Sequence, residues 1–196
     1  MGYFLLILSW GFFYFTHSFF ASAKLKRILK VRWEQGFKSY RLLYTIFSTL
    51  LFMGIMIQSI LIPPQNFLPQ KPLLTYLGYM IATFGTILSV RSSKQIRLKE
   101  FLGLKSEPKS QKLITSGLYR KMRHPLYLGL LMIFFGYVLV SAQYTALVHF
   151  ICLVVYLPFG IYFEEKNLVD QYGDAYLNYQ KNVPMLFPTW NKKKRA

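Results

Sequence analysis

The sequence is short of acids, cysteine and histidine. Seven Asp and Glu stand against 24 Lys and Arg, Cys152 is the only cysteine in 196 residues, and the histidines are His17, His124 and His149. A single thiol excludes an internal disulfide and a thiolate metal cluster, and so few donors in the apolar regions leave a metal site without ligands. Charge of either sign is absent from residues 1–23, 42–70, 72–90 and 126–163. These runs have membrane length, for which about 20 apolar residues suffice.

What is present is 54% hydrophobic and 18% aromatic, with a formal net charge of +17. A disordered basic tail would lack that apolar content, and a soluble nucleic-acid binder would spread its charges along amphipathic elements. The segregation predicts an all-α, multi-pass integral membrane protein surrounded by lipid, with no nucleic-acid partner. Five spans of about 20 residues take about half of the chain, leaving one membrane domain over 1–196 and no separate soluble domain.

The first run, Tyr3 to Phe20, ends in Ala21-Ser22-Ala23, which resembles a cleavage site. A signal peptide carries its positive charges before the apolar core, whereas Lys24, Lys26, Arg27, Lys30 and Arg32 follow it, so a retained helix is expected. Leu6 stands where myristoylation at Gly2 would want Ser or Thr. The second span is expected over about Leu42 to Ile62, closed by Pro63-Pro64, and the third over about Leu73 to Val90, completing three spans in 1–90. Gly78, Ala82 and Gly85 put small residues on one face of the third, where another helix can approach closely. Residues 126–163 are 38 uncharged positions; as one helix they would measure about 57 Å, against a bilayer core of about 30 Å. They must fold back, and Ser141-Ala142-Gln143 is the expected turn of a hairpin over 125–163.

Loop charges set the expected topology. Seven Lys and Arg lie in 24–41, ten in 91–125 and six after Phe163, while the other loops hold only Lys71. The positive-inside rule places those three segments in the cytoplasm and the N-terminus outside, which five spans satisfy. In the tail, Leu168, Tyr172, Tyr176, Tyr179 and Val183 recur at three- and four-residue steps, an amphipathic helix expected over 164–183 that either lies on the membrane surface or covers a pocket formed by the spans. Lys192, Lys193, Lys194 and Arg195 end the chain as a basic cluster suited to solvent or lipid headgroups.

Polar groups at membrane level are costly, so those near the cytoplasmic span ends are the candidates for chemistry. His17 and His149 sit at different depths, which disfavours haem ligation, and His149 reads as a hydrogen-bonded packing residue. The segment Thr115 to Tyr127 is denser in information. Pro125 suits the first turn of a helix, whose free N–H groups face any bound anion, with Arg123 and His124 beside it. Glu164 and Glu165 lie where the fifth span leaves the membrane, and the hairpin returns them to the level of His124 and Tyr127. A zwitterionic cofactor needs a cation site, an anion site and an aromatic face. Glu164 or Glu165, the helix start with His124, and Tyr119, Tyr127 or a tail aromatic supply all three.

At these residues the chain resembles the isoprenylcysteine carboxyl methyltransferase superfamily of integral membrane enzymes that use S-adenosyl-L-methionine. The likeness has three linked parts: TSGLYRKMRHPLYLG from Thr115 to Gly129; Glu164-Glu165 with Leu168; and Tyr172-Gly173, Tyr176, Tyr179, Val183-Pro184 and Phe187-Pro188. His17-Ser18, Ala21-Ser22, Tyr40-Arg41 and Tyr44 add a looser likeness to the bacterial branch with NnrU-like proteins and methanethiol S-methyltransferases. The resemblance implies a methyltransferase core over 91–196, made of a cytoplasmic loop, the hairpin and the C-terminal helix. It implies cofactor contacts from Gln111, Lys112, Leu113, Ile114, Tyr119, His124, Pro125, Leu126, Tyr127 and Glu164, completed by Glu165. It also implies a small or lipophilic acceptor and a multi-pass home in a bacterial cytoplasmic membrane, or the endoplasmic reticulum in a eukaryote. Prenylcysteine enzymes carry an arginine one turn before the paired acids; here that position is Gly160, which puts prenylcysteine as substrate in doubt. Methyl transfer from a sulfonium is an in-line displacement, for which the protein mainly aligns and desolvates. For an acceptor that must lose a proton, His124 and Glu165 are the candidate bases. A sterol-reductase-like enzyme using NADPH and a non-catalytic membrane protein are the rival readings.

Overall fold

The structure, a computed structural model, describes residues 1–32, 37–95 and 112–188. Among them the architecture is helical: α1 (Gly2–Ala21), α2 (Ala23–Arg32), α3 (Phe37–Ile60), α4 (Pro72–Gln95), α5 (Pro125–Ser141), α6 (Tyr144–Tyr172) and α7 (Asp174–Asn182), with one 3₁₀ turn at Gly117–Arg120. Gln111 and the terminal basic cluster lie outside the described residues.

Every long helix is built on an uncharged run, with α3, α4 and α6 extending past it into charged residues, as expected where the surroundings offer ions no solvation but leave intrahelical hydrogen bonds intact. Among the described residues, four helices can cross a membrane by length and composition: Gly2–Ala21, Ser39–Ile60, Pro72–Lys94 and Tyr144–Tyr172. Against the expected five spans, α5 is apolar but shorter, at 17 residues. The outward faces are oily. Phe15, Leu50, Leu73, Tyr76, Phe84 and Phe159 are all exposed, an arrangement that lipid rather than water would solvate.

The small-residue face of α4 is used. A Cβ placed on Gly78 would lie 2.7 Å from the Gly136 carbonyl, one on Gly85 2.7 Å from that of Gly129, and one on Gly136 2.8 Å from the Ala82 Cβ. Backbone thus meets backbone along the α4–α5 seam, where dispersion between closely approaching helices replaces the hydrophobic drive that lipid cannot supply.

The hairpin turns at Ser141, Ala142 and Gln143, as its length demands. Ala142 adopts φ 51°, ψ 24° and closes α5 through its N–H to the Val138 carbonyl. The turn is tied to the α3–α4 loop: Phe67 N–H donates to Ala142 O at 3.0 Å and Tyr144 N–H to Gln65 O at 3.0 Å. This fixes one end of α5 and α6 against the preceding helices.

Two elements differ from the sequence expectation. The basic stretch after α1 is helical, because Ser22, at φ −62° and ψ 137°, ends α1, bonds back to Phe19 O and offers Oγ to Leu25 N–H. The C-terminal helix expected over 164–183 is split. α6 continues unbroken to Tyr172, and Gly173 at φ 55° separates it from α7. Phe163 ends only the uncharged run; nothing there interrupts the backbone ladder, whereas glycine accepts positive φ without a Cβ penalty.

Leu6, Trp10 and Ile55 form one buried cluster and Leu153, Leu157 and Ile161 another, with Phe134 packed against both. His149 is 1% exposed and accepts a 2.7 Å hydrogen bond at Nδ1 from Trp10 Nε1. It is the packing histidine the sequence suggests.

Candidate functional site

The site is assembled from the start of α5, the end of α6 and the tail. Pro125 occupies the first turn of α5, where its missing N–H is harmless, and His124 precedes it at φ −124°, ψ 59° without a side-chain cap. The first N–H groups of α5 therefore keep no side-chain acceptor and point toward the loop. The chain reaches them through the 3₁₀ turn at Gly117–Arg120, entered by Gly117 at φ 59°.

The tail holds this start in place. Arg123 N–H donates to Pro184 O at 2.9 Å and His124 N–H to Met185 O at 3.0 Å. Arg123 Nη1 donates to Gln180 O at 2.7 Å and Val183 O at 3.1 Å, reaching the carbonyls that α7 leaves unpaired at its C-terminal end. Tyr179 donates its hydroxyl to Tyr119 O at 2.6 Å. On α7 itself Tyr176 is 1% exposed, and Gln180 donates to Glu165.

The two adjacent acids have different fates. Glu165 is buried; its Oε1 lies 3.0 Å from His124 Nε2 and 2.8 Å from Arg123 Nε, and its Oε2 accepts from Gln180 Nε2 at 2.7 Å. Both of its oxygens are committed. Glu164, with a side chain 46% exposed, approaches His124 Nδ1 only to 3.7 Å and keeps an accessible carboxylate. Tyr127 and Tyr119 couple to it electrostatically, and Tyr127 lies against the His124 ring at 5.6 Å.

The tyrosines around the pair resist ionisation. Burial pushes Tyr119 up to about 12, aided by Glu164 and Tyr179. Burial also lifts Tyr179 to about 12, with Arg123 opposing and Glu165 reinforcing. Tyr176 is raised as well, by burial first and then by Glu165. All three hydroxyls stay protonated at neutral pH beside the carboxylates.

Of the residues named from the sequence, His124, Pro125, Leu126, Tyr127, Tyr119, Glu164 and Glu165 come together. Lys112 is exposed and Leu113 and Ile114 are half-buried on the approach, while Gln111 lies outside the described residues. One participant, Gln180, escaped the sequence reading, because it is not part of the aromatic stripe of the tail; its signal was the Val183-Pro184 stop, which ends α7 opposite Arg123. Arg123, expected beside His124 at the helix start, also anchors the tail to Glu165.

Residues 73–175 match the phospholipid methyltransferase family. The chain is 42% identical over 74 residues to methanethiol S-methyltransferase of Pseudomonas deceptionensis, covering 37% of this chain and 27% of that one. It is 33% identical over 123 residues to the methanethiol S-methyltransferase of Pseudomonas sp. (strain GM41(2012)), covering 62% and 46%. Against protein-S-isoprenylcysteine O-methyltransferase of Xenopus laevis it is 26% identical over 191 residues, covering 93% and 62%. The chain spans about half or less of the length of the first three curated relatives it matches. No solved structure gives a significant match. The family match takes in just over half of the chain and contains the α4–α5 seam, the start of α5 and the acid pair; the chain belongs to the phospholipid methyltransferase family, within the isoprenylcysteine carboxyl methyltransferase-like superfamily.

Proposed function

We propose that the chain is an integral membrane methyltransferase that moves a methyl group from S-adenosyl-L-methionine to a small or lipophilic acceptor at the cytoplasmic membrane face. The observation that carries this reading is the asymmetry of the acid pair. Glu165 is spent on holding Arg123, His124 and Gln180, which leaves Glu164 as an open carboxylate beside an uncapped helix start and two tyrosine rings.

The residues present fit such a donor. Glu164 suits an ammonium or ribose hydroxyls, and the α5 start with His124 suits a carboxylate. Tyr119 and Tyr127 offer ring faces, and the Tyr176 hydroxyl is buried near Glu165 without an aligned partner. When bound, the cofactor supplies an activated methyl group on a sulfonium. The chain's own part is to bind, orient and exclude water, with His124 and Glu165 fixing the pocket wall.

Five crossings with the N-terminus outside satisfy the loop charges. They are compatible with α5, about 26 Å long at 1.5 Å per residue, pressed against α4 with its ends level with the turn at Ala142 and the acid pair. Among acceptors, a prenylcysteine carboxylate is disfavoured, because the Tyr156 ring fills the space beside Gly160 where that reading wants an arginine. A small thiol, as in the names of several relatives, is the first acceptor to try.

Calorimetric titration of the purified chain with S-adenosylhomocysteine and with NADPH tests the reading. Binding of S-adenosylhomocysteine, weakened about tenfold or more in Glu164→Gln, is expected. Binding of NADPH alone would replace it with a reductase, and binding of neither would favour a non-catalytic role.

A further inference from the structure

His149 packs and His124 holds the acid pair, which leaves His17, half-buried near the polar end of α1. Phe13 stacks on its ring at 5.5 Å. The Tyr44 hydroxyl of α3 lies 2.9 Å from Nδ1 and 3.1 Å from Nε2, and Ser48 Oγ lies 3.4 Å from Nδ1. The next residue, Ser18, is 2.9 Å from the Tyr156 hydroxyl of α6. Two polar side chains from consecutive positions of one apolar helix thus meet polar partners on two different helices.

Tyr156 links this group to the acid pair. Its ring lies flat on Tyr14, centroids 3.9 Å apart and planes 7° apart. It runs along α6 over Gly160, where an added Cβ would sit 3.0 Å from its Cε1 and 3.3 Å from its hydroxyl oxygen. Glycine is what lets the ring lie down toward Glu164. Tyr156 couples electrostatically to Glu164 and to Tyr44, and Tyr127 to all three. A line of polar groups therefore joins His17 to Glu164 through a region whose surroundings are apolar, and such groups carry a cost that packing alone does not repay. An apolar groove of about 400 Å³ between α1 and α6, bordered by Ile7, Gly11, Tyr14, Val155 and Phe159, ends on the same Tyr156.

We propose that His17, held by Tyr44 and Ser48, takes the proton from the methyl acceptor, while Ser18 and Tyr156 hold the acceptor's reacting atom facing the donor beside Glu164. The inference rests on the methyltransferase reading and deepens it. An ionised carboxylate acceptor would need no such base. A thiol does, because at neutral pH most of it is protonated. The acceptor's S–H bond breaks with the proton passing to an imidazole nitrogen of His17. The sulfur's electron pair forms the new bond to the methyl carbon, and the donor's carbon–sulfur bond breaks with its pair staying on the donor's sulfur as a neutral thioether. The positive charge brought by the sulfonium ends on the imidazole, which returns its proton to water at the polar end of α1. Tyr44 and Ser48 of α3 face the His17 ring directly, Ser18 of α1 and Tyr156 of α6 pair at the next position, and Tyr44 couples further to Tyr40, Arg41, Tyr127 and Tyr156; Tyr40 and Arg41 have interactions of their own.

The test uses the full chain in lipid nanodiscs, S-adenosylhomocysteine calorimetry, and labelled methyl transfer to an alkanethiol and to a low-pKa arylthiol between pH 6 and 10. His17→Gln is expected to bind S-adenosylhomocysteine within about twofold of the wild type, yet to lose about 100-fold or more in kcat with the alkanethiol at pH 7. The loss should shrink toward high pH, and with the arylthiol, which arrives ionised. An unchanged kcat, or a loss equal for both thiols at every pH, overturns the proposal. Tyr44→Phe is the second variant: a smaller loss with the same thiol and pH dependence supports the proposal, and an unaltered profile overturns it even where His17→Gln fails to fold. A wild-type chain that binds no S-adenosylhomocysteine would instead bring down the methyltransferase reading, and this inference with it.

Discussion

Two buried histidines lie at opposite ends of the α5–α6 hairpin in opposite surroundings. His149, near the turn, takes one neutral hydrogen bond from Trp10 and is enclosed by Phe134 and Tyr137. His124, at the other end, lies between Glu164 and Glu165 and has its backbone held by the tail. Both are almost fully buried, so burial alone does not mark a site. What differs is the company. The turn end is closed by backbone bonds and small residues, whereas the acid-pair end is closed by charges whose balance leaves one carboxylate over.

That contrast can be broken most severely at the seam and at the clamp. Gly129→Leu places a side chain into Ser89 and the Gly85 carbonyl; a loss of at least about 3 kcal/mol, or failure to fold, is expected, read by thermal melting in detergent. Glu165→Ala strips the buried Arg123 and His124 of their shared partner and should cost about 3–5 kcal/mol, with loss of S-adenosylhomocysteine binding in the same sample. Glu164→Gln should leave the melting temperature within error and weaken S-adenosylhomocysteine about tenfold or more, the loss of a charge-assisted bond. If both acid variants melt alike, the division of labour between the two carboxylates is wrong. Trp10→Phe, at the turn end, leaves His149 Nδ1 without its donor and should cost about 1–3 kcal/mol while sparing cofactor binding.

The smallest effect is in alkali. Tyr119 and Tyr179 titrate near 12 in the folded chain against an ordinary 10.0. Because the folded state holds these protons more tightly, their contribution to stability is complete below pH 10 and declines as pH rises toward 12. Tyrosinate absorbance should therefore lag behind that of the unfolded chain over this interval, and Tyr179→Phe should remove one lagging group.

Much of this was legible in the residues. Uncharged runs located the long helices, since a bilayer tolerates no unpaired ion and the helix needs no outside partner. Gly78, Ala82 and Gly85 foretold the seam because their spacing repeats on one helix face, and the 38-residue run foretold the turn at Ala142 by length alone. The end of α6 was misjudged at Phe163, because polarity changes there while helix propensity does not. Gln180 was missed because its partner is 15 positions away and belongs to no local pattern.

The sequence by itself determined that this is a multi-helix membrane chain of its family with a pair of adjacent acids near a basic helix start. Those are properties of composition and short spacing, which act through solvation and the local backbone. Only the tertiary structure decided which acid is spent and which is open. Neighbours on a helix point about 100° apart, so one faces Arg123 and Gln180 while the other stays half exposed. The same holds for His17, whose partners Tyr44 and Ser48 lie on another helix, a relation that packing alone creates.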